Sequence, residues 1–349
     1  MIRFLPLLLL SFILSGCISQ TYEVQSVCEV TDVYNYVVKW EVSPRMDGNV
    51  EIYSSADPER FDKRRPVAVE LISKGRADIV IKGSLNRCYF LLCFPDGVQN
   101  VVGVRSQKFS SVENFRDVGG YLNTEMRSVK WGRLYRSGNF DSISPINAKR
   151  VAKMHVKTFI DLRTKLPQEE FCPLTHIPHF YHLPVLSKQH NPLPLILQQQ
   201  FKRGDAIVFM QDVYREMLVI NRESFREMFR LLLNNKNYPV ILSCRYGNIQ
   251  TSLATALILS ALDIPEQVIM EDYLLSNKYF NMRRIAGIAM QLPLESQDAI
   301  TSMMVSDERY LNSALDLLKR RYGSVAEYLR AELGIDEDDR NKLKAILLE

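Results

Sequence analysis

The chain has 349 residues, 46% hydrophobic and 24% charged, enough for two compact units plus an export or linker segment. Its 15 Gly, 15 Pro and 6 Cys exclude a collagen, a low-complexity chain and a disulfide-stapled miniprotein, and its hydropathy excludes a multi-pass membrane protein. A formal net charge of +4 is too mild to announce a nucleic-acid binder, and no nucleic-acid partner is expected.

The first seventeen residues read as a targeting element. A lone positive charge, Arg3, precedes the apolar stretch Phe4 to Leu14, and the small residues Ser15 and Gly16 lead into Cys17. That stretch is too short to cross a bilayer as a helix. Leu14-Ser15-Gly16-Cys17 resembles the bacterial lipobox, which implies a signal peptide over 1–16, cleavage before Cys17, acylation of that residue and a short tether over 17–21. Each buried acyl CH2 contributes roughly 0.8 kcal/mol, so the expectation is an exported, membrane-anchored lipoprotein of the bacterial cell envelope. The other cysteines are Cys28, Cys88, Cys93, Cys172 and Cys244, an odd number, so at least one is unpaired. Cys88 and Cys93 lie an odd number of positions apart on one expected strand and face opposite sides. A disulfide framework is not expected.

From 22 to 108 the pattern is β. Tyr36 to Val42, Val50 to Tyr53, Ile79 to Ile81 and Tyr89 to Phe94 are short β-branched and aromatic runs, separated by turn formers such as Asp47-Gly48-Asn49 and Pro95-Asp96-Gly97. The stretch resembles an immunoglobulin- or fibronectin III-like sandwich, with Trp40 as core aromatic and Tyr89 at a late-strand corner. A spacer that lifts the next domain off the membrane is the preferred role, with carbohydrate or protein binding as the alternative.

From 109 to 349 strands and helices alternate, which predicts an α/β domain. Thr158 to Leu162 reads as a buried strand, and Phe225, Met228, Phe229 and Leu232 mark one face of a helix. Ser324 and Glu327 have capping-box spacing before Tyr328-Leu329. Pro239 to Leu242 is a short apolar strand that runs into Ser243-Cys244-Arg245-Tyr246-Gly247-Asn248-Ile249-Gln250-Thr251-Ser252 and then an apolar helix, Leu253 to Leu262. In a strand–loop–helix turn of this kind, loop amides and the helix N-terminus converge on one spot. That favours an anion there and eases ionisation of a nearby thiol. Displacement at a phosphate monoester uses this arrangement, a thiolate for attack and amides around the oxygens, usually with a bidentate Arg.

The segment resembles the H-C-x-x-G-K-D-R-T-G phosphate loop of bacterial tyrosine-phosphatase-like and dual-specificity-like enzymes. Further segments resemble the same family in order: Asn114 to Tyr121, Trp131 to Gly138, Ile160 to Arg163, Asp272 to Asn277, and Tyr322 to Leu329. The resemblance implies a cysteine-phosphatase-like sheet flanked by helices. It also implies Cys244 as nucleophile with Thr251 assisting, and a phosphate cradle formed by Arg245, Tyr246, Gly247, Asn248, Ile249 and Gln250.

This loop keeps Cys244, Gly247 and Thr251. It has Ser243 for the family His, Asn248 for Lys, Ile249 for Asp, Gln250 for Arg and Ser252 for the last Gly. A neutral amide donates hydrogen bonds but has neither the charge nor the two-pronged fork of a guanidinium. Ile249 cannot shuttle a proton, so leaving-group protonation falls to another group, for which Asp161 at the end of its strand is the candidate. Arg245 is expected to splay toward the rim.

Arg116, Asp117, Asp161 and Arg163 fit either a ligand-facing role or an internal ion-pair network. The five His show no zinc-type spacing, and neither metal nor cofactor is expected. Two functions remain. One is a binding protein for a phosphorylated protein or other phosphomonoester, with weak or absent turnover. The other is an active phosphomonoesterase working through a phosphocysteine intermediate on Cys244.

Overall fold

The computed structural model describes residues 22–32, 35–81, 87–165, 174–187, 196–198, 201–281, 290 and 292–349. The expected leader, the lipidation site Cys17, the tether and Cys172 lie outside the described residues.

Among the described residues the first unit holds seven antiparallel strands: β1 (Glu23–Asp32), β2 (Asn35–Ser43), β3 (Asn49–Ser55), β4 (Ala68–Leu71), β5 (Arg76–Val80), β6 (Tyr89–Cys93) and β7 (Gln99–Gly103). They form two sheets, ordered β1-β2-β5 and β4-β3-β6-β7. Period-two alternation turns Val38 and Trp40 of β2 inward while Lys39 and Glu41 face out. These inward residues share one core with Val50 and Ile52 of β3 and Phe90 and Leu92 of β6. Trp40 is buried, and its indole N–H donates to the Ile72 carbonyl at 2.9 Å, so the ring carries no unmet donor into the core. Both expected turns use the left-handed region, with φ of 115° at Gly48, 58° at Asp96 and 77° at Gly97.

Strands β1, β4 and β7 carry weaker sequence signals. In β1 polar residues alternate with apolar ones, and β4 is an edge strand that leaves Val69 and Leu71 exposed. Among the described residues, none of Cys28, Cys88, Cys93 and Cys244 is in a disulfide.

The second unit is α/β. Its strands are β8 (Arg116–Asp117), β9 (Leu134–Ser137), β10 (Thr158–Asp161), β11 (His179–His182) and β12 (Val240–Ser243). Its helices include α1 (Pro145–Ala152), α2 (Arg203–Ile220), α3 (Arg222–Leu232), α4 (Ile249–Ala261), α5 (Glu266–Leu274) and α6 (Ser276–Tyr279). They continue with α7 (Leu294–Met304), α8 (Glu308–Tyr322), α9 (Val325–Leu333) and α10 (Glu337–Leu347). The sheet runs β11-β10-β12-β9-β8, parallel except for the short edge strand β8. Strands β9, β10 and β12 are buried along their whole length, as expected of a parallel sheet covered on both faces. Phe225, Met228, Phe229 and Leu232 form the buried stripe of α3. Ser324 caps α9, its hydroxyl accepting from the Glu327 amide at 3.0 Å. Helix α4 is apolar almost all round, and so it is buried in the core with only its N-terminal end open toward the preceding loop.

The two units meet through specific contacts. Trp131, from the second unit, sits in the core of the first and donates to the Val101 carbonyl at 2.9 Å. Tyr89 opens β6 and places its hydroxyl 3.3 Å from that of Tyr135 on β9. Arg87, buried, lies 2.8 Å from the Asp117 carboxylate, donates to the Val104 carbonyl at 2.8 Å, and stacks over the Tyr89 and Tyr135 rings. Burial pushes the Arg87 guanidinium toward losing its proton, but the adjacent Asp117 carboxylate outweighs it and holds the proton more tightly than usual.

Candidate functional site

Strand β12 is paired on both sides, to β10 and to β9, so its carboxyl end is fixed. Two bonds carry that rigidity into the loop: the Cys244 amide donates to the Ser137 carbonyl at 3.2 Å, and the Ser243 hydroxyl to the Gly138 carbonyl at 3.0 Å. Cys244 is 1% exposed, and its sulfur lies 3.5 Å from the Thr251 hydroxyl on the first turn of α4.

The carbonyls of 245–247 are tied to the body of the protein. Arg245 O accepts from the Asn139 side chain at 2.7 Å, Tyr246 O from the Asn114 side chain at 2.9 Å, and Gly247 O from Arg136 at 3.1 Å. Asn248 O accepts from the Ser252 amide at 2.7 Å. Most of the backbone amides of 245–250, by contrast, have no acceptor among the described residues, the exception lying in the antiparallel bridge between Gly138 and Tyr246 that anchors the loop to the end of β9. Carbonyls anchored outward and amides left open is the condition for holding an anion, reinforced by the N-terminus of α4. Gly247 is required here: its φ is +66°, and a Cβ would lie 2.5 Å from the Gly138 nitrogen.

The loop positions that differ from the resembled phosphate-loop motif make contacts of their own. Asn248 donates to the Met304 carbonyl at 3.1 Å and accepts from the Ser306 hydroxyl at 2.8 Å, tying the loop to the end of α7. Ser252 accepts from Arg136 at 2.5 Å. Ile249 packs its side chain against the main core. Gln250 is half-buried, and its side-chain amide has no hydrogen-bond partner among the described residues. Arg245 is exposed and rests over the Tyr246 ring, which itself packs edge-on against Phe280.

Asp161 ends β10 opposite Ser243 and is fully buried. The Arg163 guanidinium donates to both its oxygens, to Oδ2 at 2.7 Å and to Oδ1 at 3.1 Å, and Arg163 also pairs with Asp141 at 2.7 Å. Burial lowers the proton affinity of Arg163, but its bonds to Asp161 and then Asp141 more than offset that. Arg116 and Asp117 likewise belong to buried ion pairs, with Asp272 and Arg87. The internal-network alternative therefore describes all four of these residues.

Beneath the loop lies a group that the sequence reading gave no role. Asp272 on α5 is bonded by Arg136 at 2.6 Å, by Arg116 at 3.2 Å and by the Tyr121 hydroxyl at 3.0 Å. Burial opposes ionisation of Asp272, but the Arg116 and Arg136 guanidinium groups overcome it and hold the carboxyl well below its usual range. For Arg116, burial and then repulsion from Arg136 outweigh the attraction of Asp272, bringing it down to about 10. Nothing in the strand Leu134-Tyr135-Arg136-Ser137 marks Arg136 by itself; its need for a buried partner follows only from the burial of the whole strand.

A thiol at the end of a parallel strand, followed by a loop with open amides that leads into a helix N-terminus, defines a phosphate-loop protein of the cysteine-phosphatase kind. A model described as the tyrosine phosphatase family matches residues 107–349, and the chain belongs to that family. It is 28% identical to a provisionally named tyrosine-protein phosphatase of Cupriavidus necator over 68% of this chain and 87% of that protein. It is 24% identical to the triple specificity protein phosphatase PtpB of Mycobacterium tuberculosis, over 67% of this chain and 96% of that protein. Among solved structures it is similar to the catalytic core of the PP-IP phosphatase Siw14 from S. cerevisiae, at 17% identity and a TM-score of 0.30, covering 52% of this chain and 96% of that one.

Proposed function

We propose that this member of the tyrosine phosphatase family binds a phosphorylated protein or other phosphomonoester in the loop 244–250 and turns it over slowly or not at all. The supporting observation is the loop itself: open backbone amides beside a buried Cys244, with an uncharged Gln250 at the position where the resembled motif has Arg. Open amides hold phosphate oxygens in the ground state. The missing guanidinium fork is the group that would tighten on the migrating phosphoryl unit, and removing one preorganised donor costs about a hundred- to a thousandfold in rate.

The second reading, a phosphomonoesterase, is favoured by the Thr251 hydroxyl 3.5 Å from the Cys244 sulfur. In it the thiolate attacks phosphorus, the P–O bond to the leaving group breaks, that oxygen takes a proton, and water then cleaves the phosphocysteine. The N-terminal unit is proposed as a fibronectin III-like spacer, and Cys17 as the lipid anchor that tethers the chain to the cell envelope.

Hydrolysis of p-nitrophenyl phosphate by the wild-type chain and by Cys244→Ser separates the readings. The expected result is uptake of inorganic phosphate with little thiol-dependent turnover; brisk hydrolysis abolished by Cys244→Ser overturns it in favour of the enzyme.

A further inference from the structure

The charge beneath the loop does not balance. Arg116, Arg136 and Asp272 are each at most 1% exposed, and among the described residues Asp272 is the one carboxylate that either guanidinium group touches. Two cations share one anion in a site sealed from water. An uncompensated buried charge is costly, and it is retained where something else supplies the opposite sign. Arg116 spends its remaining donors locally, on the Asp272 carbonyl at 2.8 Å and on Ser276 and Asn114. Arg136 turns the other way: its Nη2 reaches the Gly247 carbonyl and Ser252, both part of the loop, and its Nε is buried without a partner.

We infer that Arg136 is a positioning residue of the phosphate loop, whose surplus positive charge, applied from beneath through the Gly247 carbonyl and Ser252, substitutes in part for the charge that Gln250 lacks. The inference rests on the anion-holding reading of the loop. An anion above the amides, phosphate dianion or Cys244 thiolate, is the counter-charge that the Arg116–Asp272–Arg136 triad is short of. Ser252 takes part in this arrangement: where the family has Gly, its hydroxyl gives the guanidinium a second hold on the first turn of α4. Arg136 does not touch the ligand. It acts by orienting the loop and by its field in a low-dielectric interior.

The test uses the full-length chain with inorganic phosphate as the probe, followed by calorimetric titration and by thermal unfolding with and without phosphate. Arg136→Met removes the surplus and leaves a neutral Arg116–Asp272 pair, so the variant is expected to fold. Arg136→Gln serves as a second neutral variant. Both are expected to bind phosphate about tenfold or more weakly and to lose most of the phosphate-dependent rise in unfolding temperature. Arg136→Lys keeps the charge but not the guanidinium fork and is expected to recover a clear part of the affinity lost in the neutral variants. A purely structural role would lower stability without phosphate and would not be rescued by Lys. Equal affinity in wild type and the neutral variants overturns the inference, as does an Arg136→Lys variant as weak as Arg136→Met.

If wild type takes up no phosphate, the anion-holding reading fails on its own, and the rate of Cys244 alkylation by iodoacetamide, followed by peptide mapping, decides the inference. Alkylation several times slower in the neutral variants and restored by Lys sustains it; equal rates overturn it.

Discussion

Restoring the family guanidinium by Gln250→Arg is the sharpest perturbation of this site. Residue 250 lies in the first turn of α4, six positions after Cys244, and its amide is unclaimed by any described residue, so the substitution breaks no existing bond. An amide supplies one neutral donor toward a phosphate oxygen, whereas a guanidinium supplies two parallel charged ones. One preorganised donor is worth about 3 to 4 kcal/mol in the transition state, so the gain in kcat/KM should be at least about a hundredfold. The single substitution is a better test than a full reversion. Asn248 is tied to Met304 and Ser306, and Ile249 is packed on the core, so Asn248→Lys and Ile249→Asp would each disturb the loop they are meant to repair. The assay is steady-state hydrolysis of p-nitrophenyl phosphate, with Cys244→Ser in the same background as the control for thiol dependence. A folded Gln250→Arg protein that binds phosphate more tightly yet hydrolyses it no faster than wild type would refute the argument that the missing fork limits turnover.

Other perturbations test the framework around the loop. Asn248→Ala should cost about 1 to 3 kcal/mol in thermal or urea unfolding, because the Met304 carbonyl and the Ser306 hydroxyl lose their partner; an unchanged midpoint would show that this tie does not hold the loop. Arg87→Met leaves Asp117 buried without its cation and should destabilise the chain by about 3 to 5 kcal/mol, read from the urea midpoint; a loss below about 1 kcal/mol would mean the unit junction rests on Trp131 instead. Asp272 has a depressed folded-state pKa, so its contribution is fully present above the ordinary Asp value of about 4 and is lost only as pH falls toward the depressed one. Acid unfolding of the wild type should therefore steepen below about pH 4, and Asp272→Asn should be less stable at neutral pH with a flatter acid limb; parallel acid profiles would contradict this. Trp40→Ala should cost about 3 to 5 kcal/mol by opening the centre of the first core, measured as loss of its near-ultraviolet dichroism and a lowered unfolding midpoint.

Much of the architecture could be read from local pattern because local pattern caused it. The apolar run before Cys244, the helical stripe Phe225-Met228-Phe229-Leu232, the Ser324 cap and the alternation around Trp40 each reflect a burial requirement met within a few residues. The loop's losses, Gln250 above all, were equally visible, since they are matters of which atoms a side chain carries. Strands β1 and β4 were not, because their pairing depends on neighbours far along the chain and their side chains lie partly in water.

The sequence by itself determined the element types, the thiol-bearing turn and the neutral side chain at position 250. Only the tertiary structure decided what the charged motif residues do. Arg116 and Asp272 are 156 positions apart, and Arg136 and Gly247 are 111 apart, yet each pair is in contact. A side chain's chemistry is local, but the charge it must neutralise, and the carbonyl it can reach, are set by how the strands and helices pack.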